Sequence, residues 1–320
     1  MTVMFDLRAQ RIVVTGGAGF LGRRVVELLR QQGCAQVIVP RRAECDLTRE
    51  EAVARLFADA RPDIVIHLAA EVGGIGANQR QPGRFFHANL AMGLHLIEHA
   101  RLNSIRKLIY VGTICSYPAE CPLPFFEEDL WSGSPEPTNA PYGIAKKALG
   151  VMLEAYFEQY ALPSAYLLPS NLYGPGADDD AATSHVIPAL IRTCMNAIER
   201  GEDRIVVWGT GRASRDFLHV DDAAEAIVRA AERIDRPEPI NLGTGRETTI
   251  RRLASMIAEL TGFRGEIVFD PSRPDGQARR SVDAGRAWAR LGWMPRVELG
   301  DGLARMIESM RGGRAVAFSA

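Results

Sequence analysis

Residues 11–22 read Arg11-Ile-Val-Val-Thr-Gly16-Gly-Ala-Gly19-Phe-Leu-Gly22, and a helix-like segment follows as far as Gln31. The β-branched run predicts a buried strand, so that strand, glycine turn and helix come in the order that a dinucleotide site requires. One glycine allows the tight turn, one lets backbone N–H groups approach a pyrophosphate at the helix N-terminus, and one permits close packing of helix and strand. The glycines are spaced G-x-x-G-x-x-G rather than G-x-G-x-x-G. The residues predicted to hold the cofactor at this turn are Gly16, Gly19, Phe20, Leu21 and Gly22.

The second predicted strand indicates which dinucleotide binds. It reads Gln36-Val-Ile-Val39 and is followed by Pro40-Arg41-Arg42, where a site for NAD would usually place an acid to hold the ribose 2′-hydroxyl. Two guanidinium groups suit a 2′-phosphate, because their N–H donors match phosphate geometry. Arg41 and Arg42 therefore favour NADP(H), although the sequence leaves open that both side chains are only solvated.

Strands and helices alternate along the first half of the chain. A third buried strand runs from Pro62 to His67 and ends in Leu68-Ala69-Ala70, whose backbone we expect to lie against the cofactor. The alternation predicts right-handed βαβ units and a parallel sheet. The expected fold is α/β, a Rossmann-type doubly wound parallel sheet with a smaller C-terminal α/β substrate domain. We expect residues 1–172 to form the NADP-binding domain, with a returning segment at about 213–240, and residues 173–320 to form the substrate domain.

Several local features are also predicted. A helix is expected around Asn89 to Arg101, and an amphipathic helix with a threonine cap from Thr249 to Leu260. Residues 176–184 are polar and acidic and are expected to form a mobile loop. Residues 312–320 are expected to form a frayed tail.

Composition excludes several classes of partner. The chain has 320 residues, 47% of them hydrophobic, and a net charge of −1, which gives no electrostatic reason to expect nucleic acid or an anionic membrane. No apolar run approaches the roughly 20 residues that span a bilayer, and the N-terminus lacks a signal-peptide pattern. The five cysteines are scattered without metal-type spacing, as expected of reduced thiols. The sequence therefore predicts a cytoplasmic protein without a metal site.

The stretch from Thr113 to Lys146 carries the residues best suited to catalysis. Tyr142 and Lys146 are four apart, so on a helix the ammonium can lie near the phenol. A free phenol titrates near pH ~10, and bringing it to neutrality takes about 4 kcal/mol, which one nearby cation and an oxidised nicotinamide would supply. Thr113 follows the apolar run 107–112, a predicted strand whose end would face a ligand. By itself, Tyr-x-x-x-Lys is equally compatible with a surface helix pair.

Taken together, the motifs resemble those of the extended short-chain dehydrogenase/reductases that act on nucleotide sugars. Within that superfamily the chain is similar to the GDP-L-fucose synthase family over about residues 10–300. The segments that carry the likeness are Val72-Gly-Gly-Ile-Gly76, Gly112-Thr-Ile-Cys-Ser-Tyr-Pro118, Glu136-Pro-Thr-Asn-Ala-Pro-Tyr-Gly-Ile-Ala-Lys146, Ser184-His-Val-Ile-Pro-Ala-Leu190, Asp216-Phe-Leu-His-Val-Asp-Asp222 and Asn241-Leu-Gly-Thr-Gly245.

The resemblance implies a bifunctional enzyme, usually a homodimer, that epimerises GDP-4-keto-6-deoxy-mannose at C3 and C5 and then reduces C4 with NADPH. Tyr142 would be the acid at the C4 oxygen, Lys146 its partner and Thr113 the adjacent hydroxyl, often serine in the family. Cys115 would be the base and His185 the acid of the epimerisations. Their reference pKa values of about 8.5 and 6.5 bracket neutrality.

The resemblance also implies binding residues. Those near the cofactor, beyond the glycine turn and the two arginines, would be Leu68, Ala69, Ala70, Tyr142, Lys146, Pro169, Asn171, Leu172 and His185. Those near the nucleotide sugar would be Asn171, the arginine of Ile191-Arg192-Thr193, Trp208, Arg215 and Arg280. The chain departs from the family at Arg280, where lysine is common, and at Ala18, where some members place an arginine beside the 2′-phosphate.

Three alternatives remain at this point. A heptose or another 4-keto deoxysugar nucleotide could be the substrate, because residues 176–184 depart from the family's loop. A reductase without epimerase activity and a cofactor-sensing regulator are also possible, whereas a 4,6-dehydratase would carry Asp-Glu where this chain has Ile114-Cys115.

Overall fold

The computed structural model describes residues 5–177 and 185–317. Its strands are β1 (Arg11–Thr15), β2 (Gln36–Ile38), β3 (Ile64–His67), β4 (Lys107–Val111), β5 (Ser164–Pro169), β6 (Asn171–Tyr173), β7 (Arg204–Trp208), β8 (Ser214–Arg215), β9 (Phe217–His219), β10 (Pro239–Leu242), β11 (Thr248–Thr249), β12 (Glu266–Asp270) and β13 (Arg279–Arg280). Its α-helices are α1 (Phe20–Gln31), α2 (Glu50–Ala60), α3 (Ile75–Arg80), α4 (Pro82–Leu102), α5 (Ala140–Tyr160), α6 (Val186–Arg200), α7 (Val220–Arg233), α8 (Ile250–Thr261), α9 (Gly285–Leu291) and α10 (Leu299–Ala317).

A six-stranded parallel sheet forms the first half of the molecule, in the order β10-β5-β4-β3-β1-β2. The order reverses direction at β1, so the loops after β1 and β3 meet at the carboxyl edge, where open α/β sheets bind their ligands. This confirms the predicted doubly wound α/β fold. Both α7 and β10 return to this sheet from later in the chain.

Both faces of the sheet are covered by helices, which is why its strands are apolar on both sides. On one face α1, α7 and α9 pack around Val25, Leu29 and Ile227. On the other face α2, α4 and α5 pack around Phe57 and Leu149. Each layer has a dry core, so the carboxyl edge is a rigid base for the loops above it.

The later part of the chain forms a separate hydrophobic cluster. It is built from α6, α8 and α10, with Ile191, Leu253 and Leu303 fully buried, against the two-stranded parallel sheet β7–β12. A small sheet, β11-β8-β13, and the pair β6–β9 lie outside the large sheet. The domain boundaries drawn from the sequence remain a prediction.

Two local predictions are corrected and one is confirmed. Helix α4 begins at Pro82, not near Asn89, because a proline fits the first turn of a helix and the buried Phe85 anchors that turn. Residues 312–317 continue α10 instead of fraying. Thr249 does cap α8, since its Oγ1 accepts a hydrogen bond from the Arg252 amide at 3.1 Å. The expected mobile loop falls mostly on residues 178–184, which lie outside the described residues.

Within the described ranges, no helix combines the length and the apolar character that crossing a membrane requires.

Packing between α4 and α5 generates a stability prediction. A Cβ on Gly93 of α4 would lie 2.2 Å from Cδ1 of Leu149, which is buried between the two helices. We expect Gly93→Ala to lower the free energy of unfolding by about 1–3 kcal/mol through overpacking. Gly83→Ala in the same helix is the matched control, because nothing lies within 4 Å of its Cβ position. There the gain in helix propensity should raise stability by roughly 0.5–1 kcal/mol. Urea denaturation followed by circular dichroism measures both, and equal effects would contradict the close packing.

Candidate active site

The glycine turn after β1 has the shape that a pyrophosphate needs. Gly16 has φ +71°, and a Cβ there would lie 2.7 Å from the amide nitrogen of Ala69. A Cβ on Gly22 would lie 2.1 Å from the Gly16 carbonyl oxygen, so only glycine lets α1 start this close to the turn. The first turn of α1 carries no acidic residue. Its free N–H groups and helix dipole therefore suit a dinucleotide diphosphate, held at Gly19, Phe20 and Leu21.

The loop after β3 lies directly against this turn. Leu68 donates its amide to the Thr15 carbonyl at 3.1 Å, and Ala69 contacts Gly16. Ala70 is exposed at the same edge. His67 is fully buried, shares a 2.7 Å hydrogen bond with the Thr15 hydroxyl, and has its pKa held well below the usual value by burial and by Lys146. His67 is thus a structural residue, and the backbone of residues 68 and 69 lies against the glycine turn. Its contact with a cofactor stays a prediction.

A carboxylate organises the arginines beyond β2. Glu71, mostly buried, pairs with Arg42 at 2.7 Å and with Arg84 at 2.8 Å, and its pKa is lowered by these arginines despite partial burial. Arg41 is exposed next to them. Two guanidiniums around one carboxylate leave a net positive charge, which fits the expected 2′-phosphate. The sequence analysis missed Glu71. The available signal was an acid in the loop that follows β3.

Helix α5 touches the turn that follows β4. Thr113 caps a short 3₁₀ turn, Ile114–Ser116, and accepts a hydrogen bond from the Cys115 amide at 3.2 Å. A Cβ on Gly143 would lie 2.3 Å from the Cys115 carbonyl oxygen, and Ser116 donates its hydroxyl to the Gly143 carbonyl at 2.9 Å. The glycine after Tyr142 therefore brings the Tyr142 helix against the Cys115 turn.

Tyr142 and Lys146 lie on the buried side of α5, so they are not a surface pair. The Lys146 ammonium donates to the Val111 carbonyl at 2.9 Å and lies 4.9 Å from the ring centroid of Tyr110. Burial lowers the pKa of Lys146 to about 7. Burial, followed by the nearby Cys115, raises the pKa of Tyr142, and the hydrogen bond with Thr113 opposes this only in part.

The predicted direction of the Tyr142 shift is therefore wrong for the protein's own groups. Desolvation of a buried phenolate outweighs its partners here. The result is a phenol that stays protonated at neutral pH, which is the form able to give a proton to a substrate oxygen.

The Cys115 sulfur contacts Arg280, which the sequence analysis had placed only among the residues near the nucleotide sugar. Arg280 donates from Nη1 to the Cys115 sulfur at 3.4 Å, and its Nε donates to the Gln277 side-chain oxygen at 2.6 Å. Gln277 in turn donates to the carbonyls of Pro118 and Ala119. The sequence gave no signal for Gln277, because it stands in a loop more than 150 residues from the turn that it contacts.

Arg215 lies beside Arg280, since the two residues are paired in register between β8 and β13. Its guanidinium donates to the carbonyls of Ser214 and Asp275. Burial, reinforced by the charge of Arg280, lowers the pKa of Arg215 to about 10. Two neighbouring cations, Arg280 buried and Arg215 half-buried, make this wall of the site suited to an anionic ligand.

The other predicted site residues lie on or next to β5, β6, β7 and α6. Asn171 lies between Ser170 and Leu172, just after β5 ends at Pro169. It is half-buried and donates from Nδ2 to the Asp216 carbonyl at 2.9 Å. Trp208 is exposed at the end of β7, with Arg273 5.0 Å from its ring centroid. His185 is exposed immediately before α6, and Arg192 is half-buried in that helix. The roles given to these residues stay predictions. Residues 5–177 and 185–317 contain no group of three His, Cys, Asp or Glu placed to hold a metal ion.

The chain is similar to known proteins over most of its length. The model of the NAD dependent epimerase/dehydratase family matches residues 12–243. GDP-L-fucose synthase 1 of Arabidopsis thaliana is 40% identical, with 93% of this chain and 92% of that protein covered. GDP-L-fucose synthase of Escherichia coli is 39% identical, with 92% and 94% covered. Among solved structures, a GDP-6-OMe-4-keto-L-xylo-heptose reductase from Campylobacter jejuni superposes with a TM-score of 0.91 at 30% identity, covering 97% of this chain and 99% of that one.

The arginines beyond β2 generate a prediction about cofactor choice. We expect kcat/KM to favour NADPH over NADH by at least roughly tenfold, since one phosphate contact worth about 1.4 kcal/mol is enough. Arg42→Ala should raise KM for NADPH and leave that for NADH nearly unchanged. Arg246→Ala is the matched control, because Arg246 is equally exposed and pairs with Glu298 at the same 2.7 Å distance. Steady-state kinetics with both cofactors measures this, and a wild-type protein that uses both equally well would contradict the role of Arg42.

Proposed function

The chain belongs to the NAD dependent epimerase/dehydratase family, and we propose that within it this protein is a bifunctional GDP-L-fucose synthase. It epimerises GDP-4-keto-6-deoxy-mannose at C3 and C5 and reduces the C4 carbonyl to give GDP-L-fucose. The observation that carries the proposal is the contact between the Tyr142 helix and the Cys115 turn. One site thereby holds a proton donor for a carbonyl oxygen and a thiol for carbon acids.

Thr113 and Tyr142 serve the C4 oxygen in both reactions. Removing a proton from C3 or C5 of a 4-keto sugar places negative charge on that oxygen, and adding hydride to C4 does the same. Hydroxyl donors held at one oxygen stabilise both developing charges. Burial keeps Tyr142 protonated, so its phenol gives the proton that completes the alcohol. When bound, NADPH supplies the hydride.

Lys146 acts on Tyr142 and on the cofactor side of the site. Its ammonium is fixed by the Val111 carbonyl at the end of β4, one residue before Gly112 and two before Thr113. A cation held there favours the anionic oxygen that forms at the donor hydroxyls. Because burial brings its pKa to about 7, Lys146 can also return a proton to Tyr142 near neutral pH.

Cys115 and His185 complete the epimerase assignment. Cys115 follows Thr113 by two residues on the same turn, so its sulfur and the C4-oxygen donors serve one sugar ring. His185 opens α6 in the second part of the chain and is proposed as the acid on the opposite ring face. Epimerisation requires this division, since the proton leaves one face and is replaced on the other.

NADP(H) is the proposed cofactor. Support comes from the glycine cradle at Gly16 and Gly22, from the acid-free start of α1, and from the arginines around Glu71.

The nucleotide of the substrate is assigned to the second part of the chain. Trp208 offers an exposed ring for a base, Arg215 a half-buried cation for the diphosphate, and Arg192 and Asn171 further half-buried polar groups.

A 4-keto heptose nucleotide is the second candidate substrate, with reduction alone as the reaction. The observation that favours it is the superposition on the C. jejuni heptose reductase. Residues 178–184, which would help to distinguish the sugars, lie outside the described ranges. A panel of 4-keto nucleotide sugars with NADPH, with products identified by NMR, separates the two candidates.

A homodimer is proposed from apolar side chains on the outer faces of α4 and α5. Ile144, Ala148, Val151 and Ala155 follow one another at helical spacing on α5 and are all exposed, and Leu94 is exposed on α4. Such a stripe of exposed apolar side chains along one helix, with another exposed apolar side chain on the helix packed beside it, is typical of a subunit interface.

The five cysteines are free thiols, which supports a cytoplasmic location.

Replacing Cys115 separates the two activities. Cys115→Ser should slow epimerisation by about 10²–10⁴, the usual contribution of a general base. It should still oxidise NADPH on the 4-keto substrate and release an unepimerised or partly epimerised 6-deoxy sugar. Tyr142→Phe is the contrasting variant, because losing the donor at the C4 oxygen should suppress reduction and slow epimerisation too. Product stereochemistry by NMR distinguishes them.

Incubation in D₂O without NADPH provides an independent measurement. The wild-type protein should exchange deuterium into C3 and C5, and Cys115→Ser should not. Exchange at the wild-type rate in Cys115→Ser would make the protein a simple 4-ketoreductase.

Replacing one residue of the α5 stripe tests the dimer. Val151→Glu should convert the dimer to a monomer at micromolar concentration, since burying an unpaired carboxylate in an apolar interface is costly. Ile198→Glu on α6 is the control, because Ile198 is equally exposed but outside the stripe. Light scattering coupled to size-exclusion chromatography measures both masses, and a monomeric wild type would refute the interface.

A further inference from the structure

We propose that Arg280 holds Cys115 in its thiolate form as the resting base, and that Gln277 positions Arg280 for this task. The use of that thiolate on a sugar rests on the function proposed above. The contact itself does not, and it can be measured without any substrate. The sequence analysis placed Arg280 among the residues near the nucleotide sugar, so this inference assigns it a further role.

The geometry directs the guanidinium at the sulfur. Nη1 of Arg280 lies 3.4 Å from Sγ of Cys115, and the arginine is only 6% exposed. A neutral thiol is a weak acceptor, whereas a thiolate is a strong one. A buried N–H group of a permanent cation is therefore bound more strongly at this sulfur by the thiolate than by the thiol.

Gln277 fixes the direction of the guanidinium. Its side-chain nitrogen donates to the carbonyls of Pro118 and Ala119, at 3.1 and 2.9 Å. Both N–H groups are then used, so the amide oxygen must face the other way, where it accepts from Nε of Arg280 at 2.6 Å. The accepting carbonyls belong to the segment that continues from the Cys115 turn. Gln277 thus ties the arginine to the same piece of backbone that carries the sulfur.

The charge balance supports an anion at this position. Among the described residues, neither Arg280 nor Arg215 has a carboxylate oxygen within 4.0 Å. By contrast Arg279, one residue away, pairs with Glu247. Two adjacent cations, one buried and one half-buried, with no carboxylate in direct contact are unfavourable unless anions join them. A thiolate at one side and the substrate diphosphate at the other would supply those anions.

Two further titratable groups of the described residues act on the sulfur besides Arg280. Arg215 and Tyr142 are each close enough to Cys115 for their charges to interact. Glu136 and Asp275 act on Arg215 from further away. Arg280 is the cation in direct contact, so its removal should have the largest effect.

The proton transfer then balances without another reagent. The thiolate forms an S–H bond as the C–H bond at C3 or C5 breaks. The C–H electron pair forms a carbon–carbon double bond to C4, and the π pair of the C4 carbonyl moves onto its oxygen beside Thr113 and Tyr142. His185 then protonates the same carbon on the opposite face, and the thiol and His185 exchange their protons with solvent. Arg280 loses its anion partner when the S–H bond forms and regains it when the thiol is deprotonated again.

Alkylation by iodoacetamide tests the thiolate directly, since only the deprotonated sulfur reacts. Trypsin cleavage after Lys107 and Lys146 places Cys115 in one peptide with Cys121, whose pKa is raised to about 11 by burial. Cys121 is thus a slow internal reference. Tandem mass spectrometry gives the rate at each cysteine across a pH series.

In Arg280→Gln, removal of the contacting cation should move the pH midpoint of Cys115 alkylation up by roughly one unit and slow the reaction at pH 7 about two- to fivefold. Arg280→Lys keeps the charge and should fall between this variant and the wild type. Arg279→Gln is the matched control and should react like the wild type. Gln277→Ala should give a smaller upward shift, because it frees the guanidinium without removing it.

An alkylation profile of Arg280→Gln that matches the wild type, in a protein that still binds NADPH, overturns the proposal. If Arg280→Gln does not bind NADPH, the decision falls to Gln277→Ala, and a wild-type profile there overturns it instead. The deuterium exchange of Cys115→Ser tests the epimerase function separately. A shifted alkylation profile with no exchange in the wild type would therefore leave the Arg280 contact standing and remove the proposed function.

Discussion

The site depends on the close approach of helix α5 to the turn after β4. Gly143 has no side chain at the one place where the helix meets the Cys115 carbonyl, and Ser116 locks the contact by donating to the Gly143 carbonyl. Tyr142 and Lys146 are thereby fixed to the same backbone that carries Thr113 and Cys115. Helix α5 is itself held by α4, which comes close at Gly93. A sheet edge, a 3₁₀ turn and two helices thus position four side chains whose chemistry requires them together.

A second close approach of backbone segments is seen at the glycine turn after β1. Gly16 and Gly22 allow the start of α1 to lie on the turn after β1, and the backbone of Leu68 and Ala69 closes over Gly16. In the proposed function, the shape of this backbone admits the dinucleotide, and the side chains beyond it select NADP(H) over NAD(H). Glu71 gathers Arg42 and Arg84 at the end of the neighbouring loop, so a local positive charge exists in a chain with a net charge of −1.

Features that depend on local sequence could be predicted, and features that depend on distant contacts could not. The glycine spacing and the apolar strands indicated the parallel sheet, and the spacing of Tyr142 and Lys146 placed them on one helix. The sequence could not show that Gln277 contacts Pro118, or that Arg280 reaches the Cys115 sulfur, because chain folding alone creates those pairs. The sequence could not show that burial of Tyr142 raises its pKa more than the protein's own neighbouring groups lower it, because a sequence does not reveal burial. The early start of α4 was missed because Pro82 and Gly83 resemble a loop until Phe85 is seen to be buried.

The bonds between the Cys115 segment and the Gln277 segment also limit how such a protein can be recombined. Residues 115–125 and 277–283 are joined by Arg280 and Gln277, and further by the Phe125 amide on the Ser281 carbonyl at 2.8 Å. A chimera that takes the chain before α6 from one relative and the rest from another would divide this network. An exchange of the later part of the chain would therefore have to carry the loop after β4 with it to keep these bonds.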